Sequence, residues 1–269
     1  MPWNLLGILL AVCAVLCAVG FYKFVYFLSI GYGIAVAGGG IAVLVMYLLA
    51  PTPTPLFLVL LQAVLFVLYG VRLSGFLLAR EWKNASFRKT EVAKATLAKN
   101  AEKKIPVFVL VTIWVSVAVL YTAQVSPMLF RIVNNSTDVL LPLIGMAISV
   151  FGIVLESIAD SQKSAQKKER SEMVAMKGLY RIVRCPNYLG EIIFWTGVFI
   201  SGISTYATIG QWITAIAAYI CIVFIMFNGA QRLEKRQMGR YGDHKEYNDN
   251  ANKTPIILPL VPIYHLNKK

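Results

Sequence analysis

Apolar residues run almost unbroken through seven stretches of the chain, at roughly 3–22, 25–50, 55–79, 106–124, 138–157, 188–204 and 208–228. Each approaches the ~20 residues a helix needs to cross the hydrocarbon core of a bilayer. None shows the strict apolar–polar alternation of a barrel strand. The pattern therefore predicts an all-α polytopic membrane protein with seven transmembrane helices. Gly38-Gly39-Gly40 in the second stretch permits close helix packing or a kink. Pro51-Thr52-Pro53-Thr54-Pro55 reads as a tight, uncharged turn before the third. No internal repeat is visible, which speaks against a transporter built from inverted repeats.

Composition agrees with this pattern. The chain is 58% hydrophobic and 14% charged, against about 25% charged in a soluble domain. Its 269 residues leave room for a single membrane-embedded domain and little else. The net charge of +13 raises the question of nucleic acid, but the position of the charge answers against it. Lys23 follows the first span. Arg80, Lys83, Arg88, Lys89, Lys94, Lys99, Lys103 and Lys104 follow the third, and Lys163, Lys167, Lys168, Arg170, Lys177, Arg181 and Arg184 follow the fifth. The tail is basic as well, whereas the opposite loops hold only Arg131. This asymmetry predicts an outside N-terminus and a cytoplasmic C-terminus, in what would be a bacterial inner membrane. The first run lacks a basic leader and reads as a span rather than a signal peptide. Cys13, Cys17 and Cys221 lie in apolar runs and Cys185 at a boundary. With no CxxC or Cys/His cluster, neither a metal site nor a disulfide framework is expected. The short sequons at Asn84 and Asn134 are weak signals.

Candidate chemistry gathers in the second half. Arg184-Cys185-Pro186-Asn187-Tyr188-Leu189-Gly190-Glu191 joins a cationic segment to a span. Asn187 and Glu191 are four apart and share a helix face. Polar groups at a membrane boundary are costly unless partnered, so this face is a candidate for gripping a polar cofactor. Glu156 and Asp160 repeat the spacing at the end of the fifth span; taken alone, they read equally well as solvated acids at a helix end. Most lysines of the following loop, including Lys168, are explained by topology. In the tail, Arg232 and Glu234 either pair along a helix or close a pocket from below. Arg72 stands inside an apolar run with Tyr69 one turn before it. An intramembrane arginine is a functional candidate by default, and its ~12 Å to the span end is a long reach for snorkelling. Arg80 and Trp82 mark the interface. Tyr22, Tyr26 and Tyr32 read either as belt residues or as a lining.

Glu156, Asp160 and Gln162, Gly178-Leu179, Arg184 with Pro186–Glu191, and Arg232/Glu234 with Tyr247 and Pro259 together resemble the steroid 5-alpha-reductase superfamily. The closest likeness is to the bacterial branch once described as a domain of unknown function. Tyr69, Arg72 and Arg80 resemble, more thinly, the segment that supplies a catalytic tyrosine in that superfamily. The resemblance implies a seven-helix membrane enzyme. Residues 138–269 would hold NADPH, and residues 1–124 would enclose a lipid-like substrate. Asp160, Asn187 and Glu191 would contact the cofactor. Lys167 lies where relatives often have a phosphate-binding arginine, and Arg181 and Arg184 would assist. Glu156, Tyr188, Arg232, Glu234 and Tyr247 complete the implied cofactor set. Tyr69, tuned by Arg72, would hydrogen-bond the substrate carbonyl. Two departures stand out. Cys185 replaces a frequent histidine, and residues 25–50 lack the Gln-Glu pair that helps polarise the ketone in animal steroid reductases.

The expected activity is therefore NADPH-dependent reduction of an activated carbon–carbon double bond in an enone lipid, a 3-oxo-4-ene steroid being the leading substrate. The alternative is an S-adenosylmethionine-dependent methyltransferase like the isoprenylcysteine carboxyl methyltransferases, which share a similar C-terminal architecture. A third class is a non-enzymatic sterol-binding or transport component. The expected partners are a lipid-like small molecule and the membrane, with no nucleic acid.

Overall fold

The structure is a computed structural model that describes residues 1–83 and 106–267. The cationic run from Arg88 to Lys104 and the sequon at Asn84 lie outside the described residues, as do the side chains of Arg80 and Trp82. Seven helices are long and apolar enough to cross a membrane, and no strand occurs among the described residues. The protein is an integral, multi-pass, all-helical membrane protein. The chain forms two compact units, 1–139 with 204–215 and 140–203 with 216–269.

The first unit contains α1 (Trp3–Cys17), α2 (Ile30–Leu49), α3 (Leu56–Lys83) and α4 (Val107–Val133). Hydropathy alone starts the second span at 25, but residues 24–28 form a separate 3-10 turn and the α-helix begins at Ile30. The aromatic Phe24, Tyr26 and Phe27 are as apolar as helix residues, so hydropathy does not separate turn from span. Phe27 is fully buried, with Phe21 edge-on at 5.2 Å. Its carbonyl accepts a 2.5 Å bond from the Tyr121 hydroxyl of α4.

Helix α2 approaches α3 along its glycines. A side chain at Gly33 would meet the Gly70 carbonyl and Ser74, and one at Gly40 would meet Phe66. Close approach of backbones is how helices associate where solvent gives no hydrophobic drive. Ser74 of α3 also donates to the Ile30 carbonyl at 2.9 Å. Helix α4 carries Pro127 in its interior, which removes the N–H that would bond the Ala123 carbonyl. The Ser126 hydroxyl donates to that carbonyl instead, at 2.8 Å.

At the end of α4, Arg131 is buried and pairs with Asp138 at 3.1 Å. The Asn134 amide donates to the Thr205 carbonyl and to Gln211, so its sequon nitrogen is occupied by structure.

The second unit contains α5 (Leu140–Glu169), α6 (Pro186–Gly202), most of α7 (Ile209–Tyr241) and α8 (Lys245–Lys253). Small residues bring α5 and α6 together. A side chain at Gly145 would meet the Gly197 carbonyl and Ser201, and one at Gly152 would meet Phe194 and the Gly190 carbonyl. Ser149 donates to the Phe194 carbonyl at 2.9 Å.

Helices α4, α5 and α7 run well past the apolar stretches that announced them, ending at Val133, Glu169 and Tyr241. In α5 and α7 the extensions are rich in Lys, Gln, Glu and Arg, which favour helix as strongly as apolar residues do. Hydropathy marks where a helix is greasy, not where it stops. These polar extensions carry the candidate site.

Candidate functional site

Two groups of expected site residues converge in the second unit. The first lies where α5 meets the start of α6. Pro186 occupies the first helical position of α6, where its missing N–H costs nothing. One turn of helix then sets Asn187 opposite Asp160 and Gly190 opposite Glu156. Asn187 donates its amide to Asp160 Oδ1 and accepts from the Tyr180 hydroxyl at 2.8 Å. Glu156 and Glu191 are both buried, and Trp195 Nε1 donates to Glu191 Oε1 at 3.0 Å. Of the two four-residue pairs foreseen from sequence, Asp160 meets Asn187 across one helix crossing and Glu156 packs on Gly190, while Glu191 accepts from Trp195 of its own helix. The Asn187 end of the α6 face is turned towards α5.

The loop between α5 and α6 is pinned to α5 by two glutamines one turn apart. Gln162 accepts from the Leu179 N–H, and Gln166 accepts from the Met176 and Lys177 N–H groups, each at 2.8 Å. Gly178 sits at φ 67°, with the Gln162 side chain where a Cβ would be. Only glycine meets both demands without strain. This turn delivers Tyr180 to Asn187. Burial pushes the Tyr180 hydroxyl well above its ordinary range, with Asp160 adding to the effect. It is therefore a hydrogen-bond donor and not an acid at neutral pH.

The second group is built on Arg184. Its backbone N–H and that of Cys185 donate to the Pro255 and Ile256 carbonyls, which ties the tail to the segment leading into α6. Its guanidinium donates to Glu234 at 2.9 Å and to the Tyr264 carbonyl. Glu234, buried on α7, collects the tail. His265 bonds its Oε1 at 2.9 Å, while the Leu266 and Asn267 N–H groups donate to Oε2. Both carboxylate oxygens are occupied by protein donors, so Glu234 positions Arg184 and the tail. Arg184 Nε and Nη1 are buried and make no hydrogen bond of good geometry among the described residues, although the Tyr247 hydroxyl stands close to the guanidinium. A buried guanidinium nitrogen left unpaired is costly, which points to an acceptor-rich ligand. Cys185 is buried, and burial pushes its thiol up to about 12. It is no nucleophile.

The other expected residues fall around these groups. Lys167 donates to the Tyr241 hydroxyl at 3.0 Å and the Ser171 carbonyl at 3.1 Å. Tyr247 is buried with Met173, Tyr241 and Ala251. Its hydroxyl is raised by burial against the opposing pull of nearby Arg184. Arg181 is exposed. Tyr188 and Arg232 line a separate open groove with Gly229, Lys235 and Arg236.

Tyr69 and Arg72 belong to the first unit. Tyr69 is fully buried, with Tyr32 edge-on at 5.8 Å. Tyr32 stacks on Tyr121 at 4.8 Å, and Gln124 Nε2 lies 3.4 Å from the Tyr32 hydroxyl. Tyr32 is therefore a lining residue of this aromatic cluster, while Tyr22, 87% exposed, is not. Arg72 is half-buried.

Sequence reasoning passed over Tyr180, His265 and Gln124. Gln166 was detectable by extending the helical pattern through the polar run after 157, where it follows Gln162 at one turn. The others carry no local signal, because their partners are distant in sequence.

Fold and site together define a polytopic helical membrane protein whose polar helix extensions, loop and tail converge on a buried arginine and an Asp–Asn–Tyr cluster. The chain belongs to the family described as Protein of unknown function (DUF1295), whose model matches residues 32–254. No curated protein and no solved structure matches the chain.

Proposed function

We propose that the protein is an NADPH-dependent reductase of an activated carbon–carbon double bond in an enone lipid, with a 3-oxo-4-ene steroid as the leading substrate class. The observation that carries this reading is the buried Arg184, with two guanidinium nitrogens that make no hydrogen bond of good geometry among the described residues. Such donors suit phosphate oxygens, which accept in the fork geometry of arginine. S-Adenosylmethionine offers one carboxylate as such an acceptor, against the several phosphate oxygens of the dinucleotide, and this favours the dinucleotide. The resemblance of the Asp160–Glu191 region to the steroid 5-alpha-reductases points the same way.

On this reading Asp160, Asn187, Glu156 and Glu191 hold the polar cofactor beside Arg184. Lys167, Arg181 and Tyr247 flank it, with Glu234 fixing the tail. A bound NADPH would supply the hydride to the β carbon, and a proton from solvent would complete the product at the α carbon. Tyr69 donates its hydroxyl to the substrate carbonyl oxygen, where negative charge grows as the β carbon is reduced. A donor aimed at developing charge in a water-poor site is worth on the order of 10²–10³ in turnover. Arg72 tunes that donor. The membrane is a bacterial inner membrane, with the site on its cytoplasmic side.

The test is thermal stability of the purified protein with NADPH, NADH and S-adenosylmethionine. A ligand that binds only the folded state, at 100 times its dissociation constant, adds about 2.7 kcal/mol. NADPH should stabilise the wild type but not Asn187→Ala. Tyr69→Phe should keep that response and lose turnover on an enone steroid. Stabilisation by S-adenosylmethionine alone would sink the reductase in favour of the methyltransferase.

A further inference from the structure

The open groove on α7 has an origin separate from the cluster around Arg184. It has a volume of about 500 Å³ and is lined by Tyr188, Gly229, Arg232, Lys235 and Arg236. Residues two apart on a helix point about 200° from one another. Arg232 and Arg236 therefore face away from Glu234, which lies between them. No salt bridge or hydrogen bond joins any of the three cations to another side chain among the described residues. The hydroxyl end of the Tyr188 ring lies over Gly229, 3.4–3.5 Å from where a Cβ would stand, so the missing side chain there lets the ring form one wall. Three uncompensated cations around an open, tyrosine-walled space select an anion.

Its position on α7 narrows the choice. Ile220, Phe224, Asn228, Arg232 and Lys235 follow one another at four-, four-, four- and three-residue spacing, so they share one helix face. Ile220 is 60% and Phe224 67% exposed, in a helix apolar enough to cross a membrane. An exposed apolar stripe suited to acyl chains thus leads along the same helix to the cationic groove. A soluble phosphate would use the groove but not the stripe.

We propose that this groove binds the phosphate headgroup of an anionic phospholipid, whose chains lie along Ile220 and Phe224. The proposal is independent of the reductase reading. It moves Tyr188 and Arg232 from the cofactor to the bilayer.

The test titrates the full-length protein in neutral detergent with dioctanoyl phosphatidylglycerol, dioctanoyl phosphatidylcholine, inorganic phosphate and NADPH, reading thermal stability. Phosphatidylglycerol should raise the Tm, while phosphatidylcholine and phosphate at the same concentration should not. The double variant Lys235→Gln/Arg236→Gln should need at least tenfold more phosphatidylglycerol for the same shift and keep its NADPH response. If the double variant does not fold, the exposed single variant Lys235→Gln should need about fivefold more, since each surface cation attracts anionic lipid by about that factor. Lys235→Arg should restore the wild-type response. An unchanged phosphatidylglycerol response in the variants overturns the proposal, as does an equal response to phosphatidylcholine or phosphate. Loss of the NADPH response in the same variants also overturns it and assigns the groove to the dinucleotide.

Discussion

The two units distribute their polar groups differently. In the first, Ser74, Trp114 and Tyr121 each donate a single bond to a carbonyl of another segment, at 2.9, 2.8 and 2.5 Å. These bonds are scattered through a core of aromatic rings and glycine contacts, and the convergent polar network of this unit, Arg131 with Asp138 and Ser204 and Asn134 with Gln211, stands at the end of α4. Away from that helix end, the tyrosines Tyr32, Tyr69 and Tyr121 gather with Gln124 among aromatic rings. In the second, groups from the loop before α6 and from the tail converge on Glu234, and Asp160 and Tyr180 converge on Asn187. Convergent bonds make a loop and a tail behave as parts of a rigid body. On the proposed function the first arrangement encloses an apolar molecule and the second holds a polar ligand at many points.

The sharpest way to break this contrast is Glu234→Ala. It strands a buried guanidinium and releases His265 and two tail N–H groups, at a cost of about 3–5 kcal/mol. The tail beyond Pro255 should then be cut readily in limited proteolysis. A tail still protected would mean that the apolar cluster of Cys185, Ile192, Ala230, Ile256 and Ile257 holds it without the charges.

Next in size is Gly145→Leu. It drives a side chain into the Gly197 carbonyl and should cost about 1–3 kcal/mol. The loss should appear as a lower Tm in detergent, and an unchanged Tm would show that α5 and α6 can separate at little cost.

A finer test compares two hydroxyl deletions. Tyr180→Phe and Tyr121→Phe each remove one buried donor, worth about 1 kcal/mol. Combined with Asp160→Ala, Tyr180→Phe should be non-additive, because both bond Asn187. Combined with Ser74→Ala, Tyr121→Phe should add, because they share no partner. Additivity in both cycles would erase the distinction drawn here.

The smallest effect is chemical. Because burial raises the Cys185 thiol to about 12, it stays protonated at neutral pH, and only the thiolate reacts. Alkylation of Cys185 in a variant lacking the other three cysteines should be very slow at pH 8 and still be rising at pH 10. A rate that levels off near pH 9 would contradict the burial.

Much of the fold was legible in the chain. Seven apolar runs became seven membrane-length helices, because burying backbone polar groups in lipid leaves a helix few alternatives. The 3-10 turn at 24–28 was not legible, since its aromatic residues score as membrane residues. Within the site, pairs one helical turn apart were readable, namely Asn187 with Glu191 and Glu156 with Asp160. Tyr180 and His265 were not: Tyr180 lies in the loop before α6 and His265 in the tail, so no helical period relates them to Asn187 and Glu234.

By itself, then, the sequence determined that this is a helical membrane protein, roughly where its helices cross, and on which helix faces its acids and amides stand. These are consequences of hydropathy and of a 3.6-residue period, which are properties of short segments. Only the tertiary structure decided that the Asn187 face meets Asp160, that Glu234 serves the tail, and that Arg184 keeps two donors without a hydrogen bond of good geometry among the described residues. Those outcomes depend on which distant segments meet, and on the cost of leaving a buried polar group without a partner once they do.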